Sequence, residues 1–288
     1  MLVDSSNSAA NSAVTGAIRQ ASQSTGTSFN YLLATAQVES GLNALAGAAT
    51  SSAKGLFQFI QQTWLSTMKQ AGPALGYGRY ADAITQTASG QYQVSDPALR
   101  NEILNLRTDP AANAAMAGAF TQSNAAALSD RLGRSPSEGE LYIAHFLGAG
   151  NAARLINLAA SNPNAKAADI FPEAAQANSP IFYDRATGAA RTAAQVRNIL
   201  TARYEMALKT QGLPAGTAPV TTAQATTLQA ATTNAATAQT APDTAGMTNA
   251  FAAATPPRPA LDEQVFHGLF ADRNRTAPLA PVVSALWG

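Results

Sequence analysis

The stretch Phe29-Asn30-Tyr31-Leu32-Leu33-Ala34-Thr35-Ala36-Gln37-Val38-Glu39-Ser40-Gly41 decides how the chain is read. Ahead of it, Thr25-Gly26-Thr27-Ser28 stops one helix and offers an N-cap for the next, and Gly41 behind it suits the C′ position. A helix from Phe29 to Ser40 places Leu32, Ala36 and Glu39 on one face. A carboxyl on an apolar face loses its hydration, which disfavours the charged form and raises the pKa. The partial negative charge at a helix C-terminus pushes the same way. A carboxyl that stays protonated near neutral pH can give its proton to a leaving oxygen, the first requirement for breaking a glycosidic bond. A lone Glu at a helix end is more often a solvated surface residue, so the surrounding sequence has to decide.

Enzymes that hydrolyse glycosides usually bring a second carboxylate, as nucleophile or as base for a water. No Asp or Glu stands between Glu39 and Asp82, so the segment following the helix, with Gly55-Leu56-Phe57-Gln58-Phe59, carries no second acid. One carboxyl must then serve both steps. Intramolecular chemistry fits: the acetamido group of the sugar assists departure, and its own C6 hydroxyl, deprotonated by the same carboxylate, closes an anhydro ring.

Outward from this point the pattern is mostly α. Val14, Ala17, Ile18 and Ala21 recur at helical spacing between Ala9 and Ala21. A helix from Ile60 to Ala71 carries Trp64, Leu65 and Met68 and ends at Gly72-Pro73, and residues 74–96 read as irregular. Asp96-Pro97 and Asp109-Pro110 predict helices near 98–106 and 110–127, with Pro at the first helical position. Ser135-Pro136 opens another, running to about Leu147, followed by helices over 151–160 and, after a turn at Asp184-Arg185-Ala186-Thr187-Gly188, over 192–208. Strand signals are nearly absent. From Gln211 to about Pro257 the chain is Ala/Thr/Gln/Pro repetition, too poor in large apolar groups to offset its ordering entropy. Val265, Phe266, Leu269, Phe270, Leu279, Val282, Val283, Leu286 and Trp287 then restore apolar character, the pattern of a docking element. The expected organisation is an N-terminal segment with a first helix (1–27), a helical catalytic domain (28–209), a disordered Ala/Thr-rich linker (210–258) and a short C-terminal apolar segment (259–288).

Composition narrows the chemistry. Hydrophobic residues make up 46% of the 288, enough for a real core, while charged residues make up 12%, about half the usual share. A net charge of +1, without a Lys/Arg stripe, argues against nucleic acid. With no cysteine, and with His145 and His267 far apart, thiolate chemistry is excluded and neither a metal nor a cofactor is expected. No apolar run reaches membrane-spanning length, so no membrane insertion is expected. The opening stretch is Ser/Asn/Ala-rich with its first basic residue at Arg19 and lacks the apolar core of a signal peptide. Work in the periplasm or cell wall would then require another export route, such as a flagellar or other secretion apparatus, or a phage particle.

Three segments in order, Glu39-Ser40-Gly41, Gly55-Leu56-Phe57-Gln58-Phe59 and Ala144-His145-Phe146-Leu147-Gly148-Ala149-Gly150, resemble the motifs of the soluble lytic transglycosylase family. That family reads Glu-Ser-Gly/Ala, Gly-Leu-Met-Gln-Ile and Ala-Tyr-Asn-Ala-Gly-Pro-Gly, and the likeness spans roughly residues 28–208. It implies a lysozyme-like, mostly helical fold and cleavage of the β-1,4 bond between N-acetylmuramic acid and N-acetylglucosamine, with 1,6-anhydromuramic ends. On this likeness Glu39 matches the acid/base, and Gln58, with Phe57 beside it, matches the substrate-binding part of the second motif. His145 stands where the family has Tyr, and Phe146 where it has Asn. A His there can still hydrogen-bond a sugar or a peptide carboxylate. Ala49 aligns with the family's serine, with Thr50 and Ser51 beside it, and Ser51 is taken as the replacement. Tyr183, in Pro180-Ile181-Phe182-Tyr183, resembles a late cleft-lining aromatic. Peptidoglycan strands are the implied partner, with a protein partner for residues 259–288.

Two other readings stay open on the sequence. One is a hydrolysing lysozyme of the same fold, with a distant acid such as Asp82 or Asp96 positioning water. The other is a non-catalytic wall-binding or assembly scaffold whose business lies in residues 259–288.

Overall fold

A computed structural model describes residues 2–47 and 51–214, with side chains from residue 10 onward. The apolar tail and most of the expected linker therefore lie outside the described residues, as do Ala49 and Thr50. Local sequence sets most of the helix boundaries. Ser28 opens α2 (Phe29–Ser40) by accepting from the Tyr31 N–H, and Gly41 closes it in the left-handed conformation. The first helix, α1, is longer than the periodicity suggested: it spans Leu2–Thr25, and its Val14, Ile18 and Ala21 are buried.

After α2 come α3 (Gln61–Ala71) and α4 (Gly78–Ala83). They lead to a small antiparallel hairpin of β1 (Ile84–Gln86) and β2 (Tyr92–Val94), in which Ile84 pairs with Val94 and Gln86 with Tyr92. This hairpin corrects the reading of 74–96 as irregular. Each strand has three residues, too few for alternation to register, yet Ile84, Tyr92 and Val94 are buried.

Asp96 caps α5 (Pro97–Asn105), and Asp109 caps α6 (Pro110–Leu132), both with Pro at the start as the sequence predicted. Ser137 and Glu140 form a reciprocal capping box on α7 (Glu138–Leu147). Then come α8 (Ala149–Ser161), the short α9 (Ala167–Ile170), α10 (Pro172–Ala177) and α11 (Ser179–Phe182), and α12 (Ala193–Thr210), with a second capping box at Thr192 and Gln195.

The helix that organises the rest is α7. Leu141-Tyr142-Ile143-Ala144-His145-Phe146-Leu147 is buried at every position, as a run apolar all round requires. It packs against α6, α8 and α12, while α12 also rests on α2, and α1 lies along α6. The N-terminal helix is thereby part of the same core as α2, α6, α7 and α12. Each large aliphatic side chain buried there contributes about 1.5–3 kcal/mol relative to exposure. Because α2 and α7 both pack on α12, the end of α2 comes within side-chain reach of α7, where Glu39 meets Tyr142 and His145. Among the described residues, no helix is long and apolar enough to cross a membrane.

Candidate active site

Glu39 lies in the last turn of α2, where Gly41 and Leu42 turn the chain back by donating to the carbonyls of Gln37 and Ala36. Its side chain is only 4% exposed, as the helical phase required. Burial pushes its carboxyl up to about 7, while the positive charge of Arg203 and a hydrogen bond from Tyr142 pull the other way. The Tyr142 hydroxyl donates to Oε1 at 3.4 Å, and His145 Nε2 approaches the same oxygen at 3.6 Å. Burial holds the His145 imidazole down at about 4. Around pH 5–6, therefore, the pair carries its proton on Glu39, and the contact joins two neutral groups.

The second motif forms a tight loop next to this helix end. Lys54 pairs with both Gly47 and Phe59, and Gly55 N–H donates to the Ala46 carbonyl at 2.8 Å. Gly55 has φ +83°, and a Cβ there would lie 1.8 Å from the Arg107 carbonyl oxygen, so only glycine fits. Asn113, buried on α6, closes the contact from both sides. Its Oδ1 accepts from the Phe57 N–H at 3.0 Å, and its Nδ2 donates to the Arg107 carbonyl at 2.8 Å. Arg107 reaches back, donating to the carbonyls of Ser52, Phe59 and Leu104. Its guanidinium is pulled down to about 10 by burial and by Arg100.

The sequence-predicted residues fall into three groups. Glu39 and His145 are in contact, and His145 is buried in α7 with its side chain 5% exposed. Gln58 is 4% exposed, at φ +48°, with its amide nitrogen donating to the carbonyls of Gly55 (2.8 Å) and Ala46 (3.3 Å). Both amide donors are committed to the loop, which leaves the carbonyl oxygen as the group it can offer a ligand.

Phe57, expected at the substrate, is 1% exposed in the core. Asn113 anchors its backbone N–H. Ser51 turns its hydroxyl into its own loop, accepting from Ala53 N–H at 3.2 Å. Tyr183 lines a separate open depression of about 430 Å³, together with Ser179, Pro180, Asp184, Arg185 and Gly188. None of Glu39, Gln58 or His145 lines it.

Four residues escaped the sequence reading: Tyr142, Arg203, Arg107 and Asn113. Tyr142 had a usable signal, since it sits three positions before His145 and so shares its helical face. Arg203 precedes Tyr204 on α12 and is half-buried. Among the described residues no group of three or more His, Asp or Glu side chains stands together to hold a metal ion. Residues 16–98, which carry Glu39 and the Gly55–Phe59 loop, match the family model described as Transglycosylase SLT domain, and the chain contains a domain of that family.

Proposed function

We propose that the protein is a lytic transglycosylase that cleaves the bond from N-acetylmuramic acid to N-acetylglucosamine in peptidoglycan, with Glu39 as acid and then base. The observation that carries this reading is the Glu39 carboxyl, removed from water and poised at about 7. In the first step its proton passes to the glycosidic oxygen as the C1–O bond breaks, and the acetamido oxygen of the muramic residue bonds to C1. In the second step the Glu39 carboxylate takes the proton of the C6 hydroxyl, O6 bonds to C1 and displaces the acetamido oxygen. The anhydro ring is closed and the carboxyl is restored to its starting form.

Two observations support a single-carboxylate route. Asp96, one candidate for positioning a water, is exposed and accepts from the N–H groups of Ala98 and Leu99 as the cap of α5. Asp82, the other, is exposed on α4. Gln58, with its donors committed, would offer its carbonyl oxygen to a sugar N–H or hydroxyl. We place the protein at the cell wall, with residues 259–288 docking it to a protein partner in a secretion, flagellar or phage machine.

Mass spectrometry of purified sacculi digested by the wild type and by Glu39→Gln tests the reading. Anhydromuramic ends from the wild type and no release by the variant are expected. Reducing muramic ends would mean hydrolysis, and equal release by the variant would remove Glu39 from the chemistry.

A further inference from the structure

Glu39 faces titratable groups on three helices: Tyr31 on its own helix, Tyr142 and His145 on α7, and Arg203 on α12; behind Tyr142 lie Tyr204 of α12 and Glu138 of α7. Their arrangement is directional. Tyr142 and His145 both reach Oε1 and neither contact involves Oε2. The rings of Tyr142 and His145 stack at 6.2 Å with planes 18° apart, and Tyr142 stacks on its other side against Tyr204, also at 6.2 Å, with planes 26° apart. Tyr204 is itself fixed at its far end, donating its hydroxyl to Glu138 Oε2 at 2.5 Å in the buried base of α7. A hydrogen bond that short between a phenol and a carboxylate is charge-assisted and strong.

We propose that Tyr142, backed by the Tyr204–Glu138 pair, is a positioning residue for Glu39 that engages Oε1 and leaves Oε2 as the oxygen that gives and takes the proton. This rests on the proposed role of Glu39. A phenol buried in this way keeps its proton and can act only as donor to a carboxylate. With Oε1 accepting, the acid proton of Glu39 is directed to Oε2. The same hydrogen bond favours the ionised carboxylate, so it holds the Glu39 pKa below what burial alone would impose.

The test uses the full chain and reads Glu39 directly. The carboxyl ¹³C signal of Glu39, assigned by its absence in Glu39→Gln, is titrated in the wild type and in Tyr142→Phe, and the pH-rate profile on sacculi is recorded beside it. Tyr142→Phe should move the midpoint up by about half a pH unit or more. The alkaline limb of the rate should shift with it, and kcat should fall while KM is nearly kept. A merely structural Tyr142 would leave the midpoint in place, and an unmoved midpoint overturns the proposal. If Tyr142→Phe does not fold, Tyr204→Phe carries the test, since it keeps both rings and breaks only the bond to Glu138. A smaller upward shift supports the proposal and an unmoved midpoint refutes it. The carboxyl titration does not depend on turnover, so failure of this inference is distinct from an active Glu39→Gln, which would refute the role of Glu39.

Discussion

The Glu39 carboxyl and the His145 imidazole meet at 3.6 Å, and burial drives them in opposite directions, the acid up to about 7 and the base down to about 4. Two groups that would pair as ions in water are both kept neutral between those values. The reason is desolvation, the leading cause for each. The arrangement keeps an acid at hand in a site that lacks a neighbouring charge strong enough to discharge it.

Stability should therefore change with pH at both ends. Glu39 binds its proton more tightly folded than unfolded, so its contribution is full below about 4.5 and is lost as pH rises to about 7, a total of roughly 3 kcal/mol. His145 is depressed, so its contribution is full above about 6.5 and is lost as pH falls to about 4, by a similar roughly 3 kcal/mol. Between 4.5 and 6.5 the two slopes oppose each other. Glu39→Gln should leave stability near pH 4 almost unchanged and raise it at pH 8 by up to about 3 kcal/mol. Urea denaturation at the two pH values checks this, and a variant no more stable at pH 8 would contradict the burial of the charge.

The loop of the second motif should respond to Gly55→Ala as a steric lesion. The added methyl would overlap the Arg107 carbonyl and lie 2.7 Å from Asn113 Nδ2, at a φ that disfavours any side chain. A loss of about 2–4 kcal/mol is expected, with cleavage falling further than stability because the loop beside Glu39 is displaced. Thermal melting together with muropeptide release separates the two effects.

Glu39 was legible in the sequence because a helical phase is fixed by few residues: Leu32 and Ala36 set the buried face, and the carboxyl had to follow. The starts at Asp96-Pro97 and Asp109-Pro110 were legible for the same local reason. Arg107 and Asn113 were not, because their partners are backbone groups 48 and 56 residues away, and a carbonyl or N–H leaves no mark on residue type. Tyr142 was hidden in a run of apolar residues, where its ring is ordinary filling and only its hydroxyl, brought to α2 by packing, has a role. Phe57 was expected at the substrate and lies in the core, because motif order says which residues gather, while side-chain direction is set by packing. The hairpin of Ile84 and Val94 needed long-range burial to stabilise strands of three residues.

Asn113→Ala should loosen the loop without filling any space. The substitution leaves the Phe57 N–H and the Arg107 carbonyl without their buried partner. Each unsatisfied group costs about 1–3 kcal/mol unless water enters. A fall in melting temperature with a rise in KM is expected, since the loop that carries Gln58 loses its anchor on α6. Asn113→Asp should be worse than alanine for the Arg107 carbonyl, as it sets an acceptor against an acceptor. Melting curves on both variants give the order.

Gln58 offers the sharpest contrast between a ligand-binding and a loop-holding amide. Its nitrogen donates to two carbonyls, Gly55 and Ala46, in a residue held at positive φ. Gln58→Ala removes both bonds and retains the strained backbone, whereas Gln58→Gly removes the bonds and relieves the strain. If the side chain mainly holds the loop, Gln58→Ala should melt below the wild type, with the glycine variant more stable than alanine by about 1 kcal/mol because the strain is relieved. Gln58→Glu replaces the donor with a carboxyl facing two carbonyl oxygens, so it should be the least stable above neutral pH and partly recover in acid, where protonation restores one donor. If instead the amide served the substrate alone, Gln58→Ala and Gln58→Glu would melt with the wild type and differ only in KM, and melting temperatures at pH 5 and pH 8 decide between these outcomes.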